Sequence, residues 1–160
     1  MMPATDIRNP PAARQRDHGL VVAVDTREKM PYEFAVSKVK TLKTGDYSIV
    51  GQEDQVAIER KTLADAYSSL GRQRRRFRLE VERMQELTYA AIVIEADLRS
   101  FLEPAVFSRV NPRAALGSLL AWAVAYGIGI FFAGDRKHGN DITLRLLEQF
   151  WLKQLGGKRD

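Results

Sequence analysis

Two acids and a lysine carry the strongest chemical signal in this chain: Asp46, in Gly45-Asp46-Tyr47-Ser48-Ile49, and the pair Glu59 and Lys61, in Val56-Ala57-Ile58-Glu59-Arg60-Lys61. Carboxylates are hard oxygen donors. Two or three of them suffice to hold Mg2+, which prefers octahedral oxygen coordination and keeps several of its waters. A cation held in this way supplies a hydroxide and neutralises charge on a transferring phosphoryl group, so the grouping fits hydrolysis of a phosphodiester. Asp25, closing the apolar run Leu20-Val21-Val22-Ala23-Val24-Asp25, offers a third carboxylate from a third strand. Lys61 stands two residues from Glu59, where it would position the attacking water or offset charge on the phosphate.

Each of these residues also has a plain structural reading. Gly-Asp pairs are frequent in turns, Asp25 is placed to end a strand, and a Glu-Arg-Lys run commonly forms the solvated end of one. Strand alternation argues for more. Along 44–50, Asp46, Ser48 and Val50 share one face while Tyr47 and Ile49 share the other; along 56–61, Ala57, Glu59 and Lys61 alternate with Val56, Ile58 and Arg60. Burying Tyr47, Ile49, Val56 and Ile58 together requires a register that sets Asp46 opposite Glu59 or Lys61, because a one-residue slip turns Asp46 to the wrong side. The register that makes a core therefore gathers Asp46, Glu59 and Lys61 on one exposed face.

The surrounding elements follow from hydrophobic period and capping signals. Residues 20–25 form a short continuous apolar run, the pattern of a strand covered on both faces. Residues 44–50 and 56–61 flank the polar connection 51–55 and read as a hairpin. Thr62 is a helix N-cap with Asp65 at the capping-box position, and that helix runs to about Leu70, before Gly71. Phe77, Val81 and Met84 form the core stripe of a long amphipathic helix over 72–87. Residues 90–95 give a buried strand, and Asn111-Pro112 starts a helix that ends at Gly127. A last strand over 130–133 and a closing helix over 141–155, with Ile142, Leu146 and Gln149 or Phe150 on successive turns, complete the pattern. Strands alternating with helices predict an α/β fold with a mixed sheet.

Composition bounds the rest. The chain has 160 residues, 45% of them hydrophobic, enough for one core and too few for two ordinary domains. Residues 1–18 are rich in Pro, Arg and Ala without an apolar run, and read as a disordered tail rather than a secretory signal; residues 19–155 read as the domain and 156–160 as a short C-terminal tail. Cysteine is absent, which excludes disulfides, zinc-thiolate sites and cysteine nucleophiles, and a cytoplasmic location is expected. His18 and His138 stand in tail-like and loop-like sequence and read as surface residues, not metal ligands. A net charge of +5 favours a polyanionic partner, either nucleic acid or an anionic membrane surface. Arg72, Arg74, Arg75, Arg76 and Arg78 form either a solvated helix face paired with Glu80, Glu82 and Glu86 or a phosphate-binding patch, and their place just after the candidate site favours the patch. The uncharged stretch 114–134 approaches the roughly 20 residues of a membrane span. Gly117, Gly127 and Gly129 interrupt it, so a buried helix followed by a buried strand is expected, with no membrane span.

Three segments taken in order, Val24-Asp25-Thr26-Arg27-Glu28, Thr44-Gly45-Asp46-Tyr47 and Ile58-Glu59-Arg60-Lys61-Thr62-Leu63-Ala64-Asp65, resemble the successive motifs of the XPF-type nuclease domain. The match is close over 20–95, and the remaining helices are expected to complete the same domain. This resemblance implies a restriction-endonuclease-like fold, a mixed central sheet flanked by helices, and a Mg2+- or Mn2+-dependent endodeoxyribonuclease acting near flaps, forks or bubbles in DNA repair or recombination. It implies Asp25, Asp46 and Glu59 as metal ligands, Lys61 as catalytic, and Arg27, Glu28, Arg60 and Asp65 as supporting residues. Family members usually carry a tandem helix-hairpin-helix domain that binds DNA and aids dimerisation. The 160 residues leave no room for it, so a stand-alone microbial or phage form is expected, in which the arginine-rich helix supplies the DNA contacts. Pairing through late helices in the family implies a homodimer. A catalytically silent DNA-binding or scaffold subunit is the competing reading, and its mark would be a broken motif; here the motif is intact.

Overall fold

The computed structural model describes residues 19–156; the tail read at 1–18, including His18, and the last four residues lie outside the described residues. The elements in chain order are β1 (Val22–Asp25), β2 (Ser37–Lys40), β3 (Tyr47–Ile49), β4 (Val56–Lys61), α1 (Leu63–Leu70), α2 (Arg74–Met84), β5 (Tyr89–Ile94), α3 (Leu98–Leu102), α4 (Pro112–Tyr126), β6 (Gly129–Phe132) and α5 (Arg136–Gly156). The strands form one six-stranded sheet in the order β2-β1-β3-β4-β5-β6. Pairing is antiparallel on both sides of β3 and parallel for β1 with β2, β4 with β5 and β5 with β6. The mixed α/β sheet expected from the sequence is therefore present.

Two cores sandwich the sheet. Ala66, Tyr67 and Leu70 of α1, Phe77, Val81 and Met84 of α2, Phe101 of α3 and Leu119 and Trp122 of α4 pack with Ile92 and Ile94 on one face. Leu144, Leu147 and Phe150 of α5 cover Tyr47, Ile49, Val56, Ile58, Ala91 and Val93 on the other. β5 has a helical layer over each face and parallel neighbours on both sides, which is why Tyr89-Ala90-Ala91-Ile92-Val93-Ile94 is apolar throughout. At α4, Asn111 Oδ1 accepts from the N–H groups of Arg113 (3.0 Å) and Ala114 (3.2 Å), and Gly127 closes the helix in the left-handed region at φ 66°. The uncharged stretch is thus a helix and a strand, and no helix among the described residues is long and apolar enough to cross a membrane.

Several boundaries differ from the sequence reading. β2 is not signalled at all: Ser-Lys-Val-Lys is exposed at all four positions, and its lysines suit an edge strand by discouraging a further strand from pairing. α3 is a short turn capped by Asp97, whose Oδ1 accepts from Ser100 N–H at 2.6 Å. The hairpin's first strand contracts from 44–50 to 47–49. The amphipathic helix spans Arg74–Met84 rather than 72–87, and the last strand begins at Gly129. α5 starts at Arg136, not at 141, because Asp135 caps it through His138 N–H at 2.8 Å and Gly139 packs under Tyr32, where a β-carbon would collide with the Tyr32 hydroxyl. Its buried stripe is Leu144, Leu147 and Phe150; Gln149 is exposed, and Ile142 and Leu146 are half-buried. His138 is an exposed surface residue beside Asp135.

Candidate active site

A glycine sets the approach of Asp46. Gly45 has φ +76°, and a β-carbon on it would lie 2.9 Å from Ala57 Cβ and 3.2 Å from Ile58 O, so only glycine both adopts the turn and fits against β4. The chain then enters β3 with Asp46 N–H donating to Ile58 O at 2.9 Å and Tyr47 paired with Ile58. That register puts Asp46 opposite Glu59, the first of the two alternatives allowed by alternation. Arg60 N–H donates to Asp46 Oδ2 at 2.8 Å, so the β4 backbone holds the carboxylate. Lys61 Nζ lies 3.5 Å from Glu59 Oε1 and 4.7 Å from the centre of the Phe77 ring.

The face is not exposed as alternation alone had it. α1 and α2 cover it, leaving the Glu59 and Lys61 side chains 13% and 15% exposed, while Ser48 is fully buried and donates to Val56 O. What remains is a recess of about 260 Å3 lined by Asp25, Asp46, Glu59 and Lys61, with Arg27, Lys43, Gln73, Arg76 and Arg83 among its other walls. Lys43, Gln73 and Arg83 carried no signal in the sequence, since each takes its place only when α2 and the loop before β3 fold across the sheet.

Burial pushes the Asp46 carboxyl up to about 7, and the nearby Glu28 and Asp25 charges add to the rise against the opposing Arg60 N–H and Lys61. Burial likewise raises Glu59 to about 8, helped by Asp46 and opposed by Lys61. Two carboxylates in one desolvated recess resist joint ionisation. Acids displaced together in this way are candidates for function on physical grounds. Asp25 behaves oppositely. Burial is the largest single influence on its carboxyl, 3% exposed, and raises it, but the hydrogen bonds from Arg27 and Leu42 and the Arg27 charge together hold it below the ordinary range: Arg27 Nε donates to Oδ2 at 2.7 Å and Leu42 N–H to Oδ1 at 2.9 Å.

Asp25 and Asp46 sit opposite each other across the antiparallel β1–β3 pair, with Asp25 N–H donating to Asp46 O at 2.9 Å. The three carboxylates therefore open onto one recess. They do not close into a three-ligand cluster, and no three acidic or imidazole side chains among the described residues stand near enough to hold an ion together. Both Asp25 oxygens accept hydrogen bonds, Oδ2 from Arg27 and Oδ1 from Leu42. Asp46 and Glu59 remain as a pair of hard donors, a set that fits an oxygen-preferring cation such as Mg2+ or Mn2+ with water and phosphate oxygens in its remaining positions.

Behind the site, on the α5 side of the sheet, Arg60 is clamped. Its Nε and Nη2 donate to Glu95 at 3.0 and 3.3 Å, Nη1 donates to Met30 O at 3.1 Å and lies 3.4 Å from Glu28 Oε2, and its guanidinium stacks 5.0 Å from the Tyr32 ring centre. Tyr32 donates its hydroxyl to Glu95 (2.6 Å) and Tyr47 donates to Glu28 (2.7 Å), while Tyr32 N–H donates to the Tyr47 hydroxyl (2.8 Å). Burial and the Glu95 carboxylate hold the Tyr32 hydroxyl protonated well above its ordinary range. Arg60 and Glu28 were singled out from sequence; Glu95 and Tyr32 were not, and the only signal for Glu95 was an acid closing a buried strand.

The other expected residues scatter. Asp65 is exposed in the first turn of α1, where its N–H donates to Thr62 Oγ1 at 3.1 Å, and its side chain faces a separate cleft on the far side of α1. The five arginines do not make one patch. Arg76 lines the recess and pairs with Glu80 at 3.4 Å, Arg74 donates to Ser118 Oγ at 2.9 Å and stacks on Trp122, Arg72 faces the Asp65 cleft, and Arg75 and Arg78 are exposed. Helical rotation of about 100° per residue sends neighbouring arginines to different surfaces.

The family model described as the ERCC4 domain matches residues 24–146, a span that holds Asp25, Asp46, Glu59, Lys61, Arg60 and Glu95. The chain belongs to the ERCC4-domain family. The fold of this ERCC4 domain is similar to that of XPF from Aeropyrum pernix, with a TM-score of 0.66 and 24% identity over 88% of this chain and 64% of that one. It is also similar to XPF from Aeropyrum pernix solved in complex with DNA, with a TM-score of 0.64 and 25% identity over 84% of this chain and 66% of that one. The ERCC4-domain chain thus spans just under two thirds of the length of these relatives. A search of curated proteins gave no match. The restriction-endonuclease-like architecture implied by the motif resemblance is the fold observed.

Proposed function

We propose that this ERCC4-domain chain is a divalent-metal-dependent endodeoxyribonuclease that hydrolyses phosphodiester bonds near branch points in DNA. The observation that carries this reading is the half-buried pair Asp46 and Glu59, opposed across β3 and β4 with Lys61 beside them, in a recess whose lining also carries Arg27, Lys43, Arg76 and Arg83 along with Glu80. Asp46 and Glu59 would hold Mg2+ or Mn2+, which when bound activates a water and neutralises charge on the phosphate. The chain's own residues do the remaining work. Arg60 N–H keeps Asp46 Oδ2 turned to the recess. Lys61 sets a positive charge next to Glu59, where it orients the attacking water and offsets charge on the phosphoryl oxygens. Arg76 and Arg83 on α2, with Lys43 opposite, bind phosphate oxygens along the strand being cut. Asp25, engaged by Arg27 and by Leu42 N–H, ties the loop after β1 to the loop before β3 and shapes the recess electrostatically.

Purified chain incubated with flap, fork, bubble, nicked and linear DNA in Mg2+ or Mn2+ tests the reading. Cleavage that requires the cation, prefers a branched substrate and falls at least about a hundredfold in Asp46→Asn and in Glu59→Gln is expected; equal cleavage by both variants sinks it. A catalytically silent DNA-binding subunit is the second reading, and the engagement of Asp25 by Arg27 is the observation on its side. It predicts salt-dependent DNA binding without cleavage in either metal. A homodimer formed through α4 is part of the leading proposal, supported by Leu120 at 51% and Val124 at 87% exposure on that helix.

A further inference from the structure

The described residues form a second hollow besides the carboxylate recess. A cleft of about 970 Å3 lies across α1 from it, and its walls include Tyr67, Gly71 and Arg72 on one side and Phe107, Arg109 and Val110 on the other. The wall bearing Phe107 is the loop between α3 and α4. That loop is braced: Val106 and Val110 pack against the helical core, Val110 approaches so closely that a β-carbon on Gly71 would lie 3.0 Å from its Cγ2, and Val110 N–H donates to Ser108 Oγ at 3.1 Å. On this braced loop Phe107 is 99% exposed, the most exposed large apolar side chain among the described residues. A phenyl ring so placed contributes nothing to the core. It is a flat apolar platform at the mouth of a cleft, with Arg72 and Arg109 beside it and Asp65 as the one acid on the walls.

We infer that this cleft takes an unpaired nucleotide of single-stranded DNA, its base stacked on Phe107 and its phosphates on Arg72 and Arg109. Exposed aromatics flanked by cations are the shared elements of sequence-tolerant single-strand binding, because every base has a π face and every linkage a charge. A nucleotide satisfies both the arginines and the ring with a single unit, its phosphate and its base. The cleft also connects with the site. Over five consecutive residues the α1–α2 turn faces both hollows, Ser69 and Gln73 toward the recess and Gly71 and Arg72 toward the cleft. A strand leaving a duplex whose other side enters the recess has a short cationic path over this turn. The inference rests on the nuclease reading for its purpose, since it explains how this domain would recognise a junction, and it is tested without catalysis.

The test is fluorescence anisotropy of the full chain in EDTA with a labelled oligothymidylate and with a blunt duplex of equal length. Wild type is expected to bind the oligothymidylate, and Phe107→Ala to weaken that binding by roughly tenfold while changing duplex affinity less than about twofold and leaving the thermal midpoint unchanged. Phe107→Trp is expected to retain affinity, with its indole emission quenched by the oligothymidylate beyond any quenching of the wild-type tryptophans. Arg109→Gln should reduce the salt slope of single-strand binding by about 0.7, the increment for one phosphate. No oligothymidylate binding by wild type, equal affinity in Phe107→Ala, or equal loss on both DNAs overturns the inference, as does a Phe107→Ala chain that changes from dimer to monomer by light scattering with its DNA affinity intact. Failure of cleavage in the metal-dependent assay leaves these binding results unaffected, so the two readings fail separately.

Discussion

At the scale of single residues, the raised Asp46 and Glu59 carboxyls couple the domain's stability to pH. Both carboxyls titrate above their unfolded value of about 4, so between about pH 4 and 8 the folded state binds more protons than the unfolded one. Stability therefore falls as pH rises through that window. The metal-free chain is expected to melt at a higher temperature at pH 5.5 than at pH 8.5, and Asp46→Asn, which keeps the acceptor for Arg60 N–H, is expected to flatten this slope and raise the pH 8.5 midpoint by roughly 3–6 °C. Differential scanning fluorimetry in EDTA at the two pH values measures it, and an Asn variant no more stable than wild type at pH 8.5 would falsify the account. If the pair holds Mg2+ as proposed, the cation competes with protons for these carboxyls, so its affinity by calorimetry should increase with pH over the same window.

At the scale of elements, the site depends on how one turn meets one strand. Gly45 allows β3 to start beside Ala57 at φ +76°, and Asp46 is the next residue. Gly45→Ala introduces a strained φ together with a contact 2.9 Å from Ala57 Cβ, and is expected to cost about 2–4 kcal/mol. Urea unfolding reads the loss directly, and cleavage measured well below the shifted midpoint should fall as well, because Asp46 moves with the turn. An unfolding midpoint within error of wild type would show that the turn relaxes without consequence. The elements found from sequence were those with a strong period or cap: β4, β5, α1 with Thr62, and α4 between Asn111 and Gly127. Those missed had none. β2 has no apolar face, α3 has a single buried side chain, Phe101, and the Gly139-Asn140 pair that looks like a helix break lies inside α5, where Gly139 fits under Tyr32 and Asn140 bonds Glu33 through both its Oδ1 and Nδ2.

For the whole molecule, α4 turns Leu120 and Val124 outward beside the larger helical core, and the proposed homodimer would cover them. Val124→Glu buries a carboxylate in that interface if it exists. Light scattering at micromolar concentration is expected to give a dimer mass for wild type and a monomer mass for this variant; a wild-type monomer at that concentration defeats the proposal. Val124 is 87% exposed in the isolated domain, so the folding of the variant should be unaffected.

The sequence by itself determined which side chains share the face that matters most. Period-two alternation in 44–50 and 56–61 sets Asp46 opposite Glu59 or Lys61 in any core-forming register, and the Tyr47–Ile58 pairing of the folded sheet selects Glu59. The ordered motifs around those residues also sufficed to indicate the family. Three outcomes were decided only in three dimensions. Asp25 reaches the recess yet is held by Arg27 and Leu42, since a backbone N–H seventeen residues away cannot be read as its partner from the sequence. The face expected to be open is roofed by α2, because the amphipathic stripe Phe77, Val81 and Met84 names what the helix buries but not which strands it crosses. The arginine run disperses to several surfaces, because helical rotation and the packing of α1, α2 and α4, rather than closeness in sequence, decide which charges stand together.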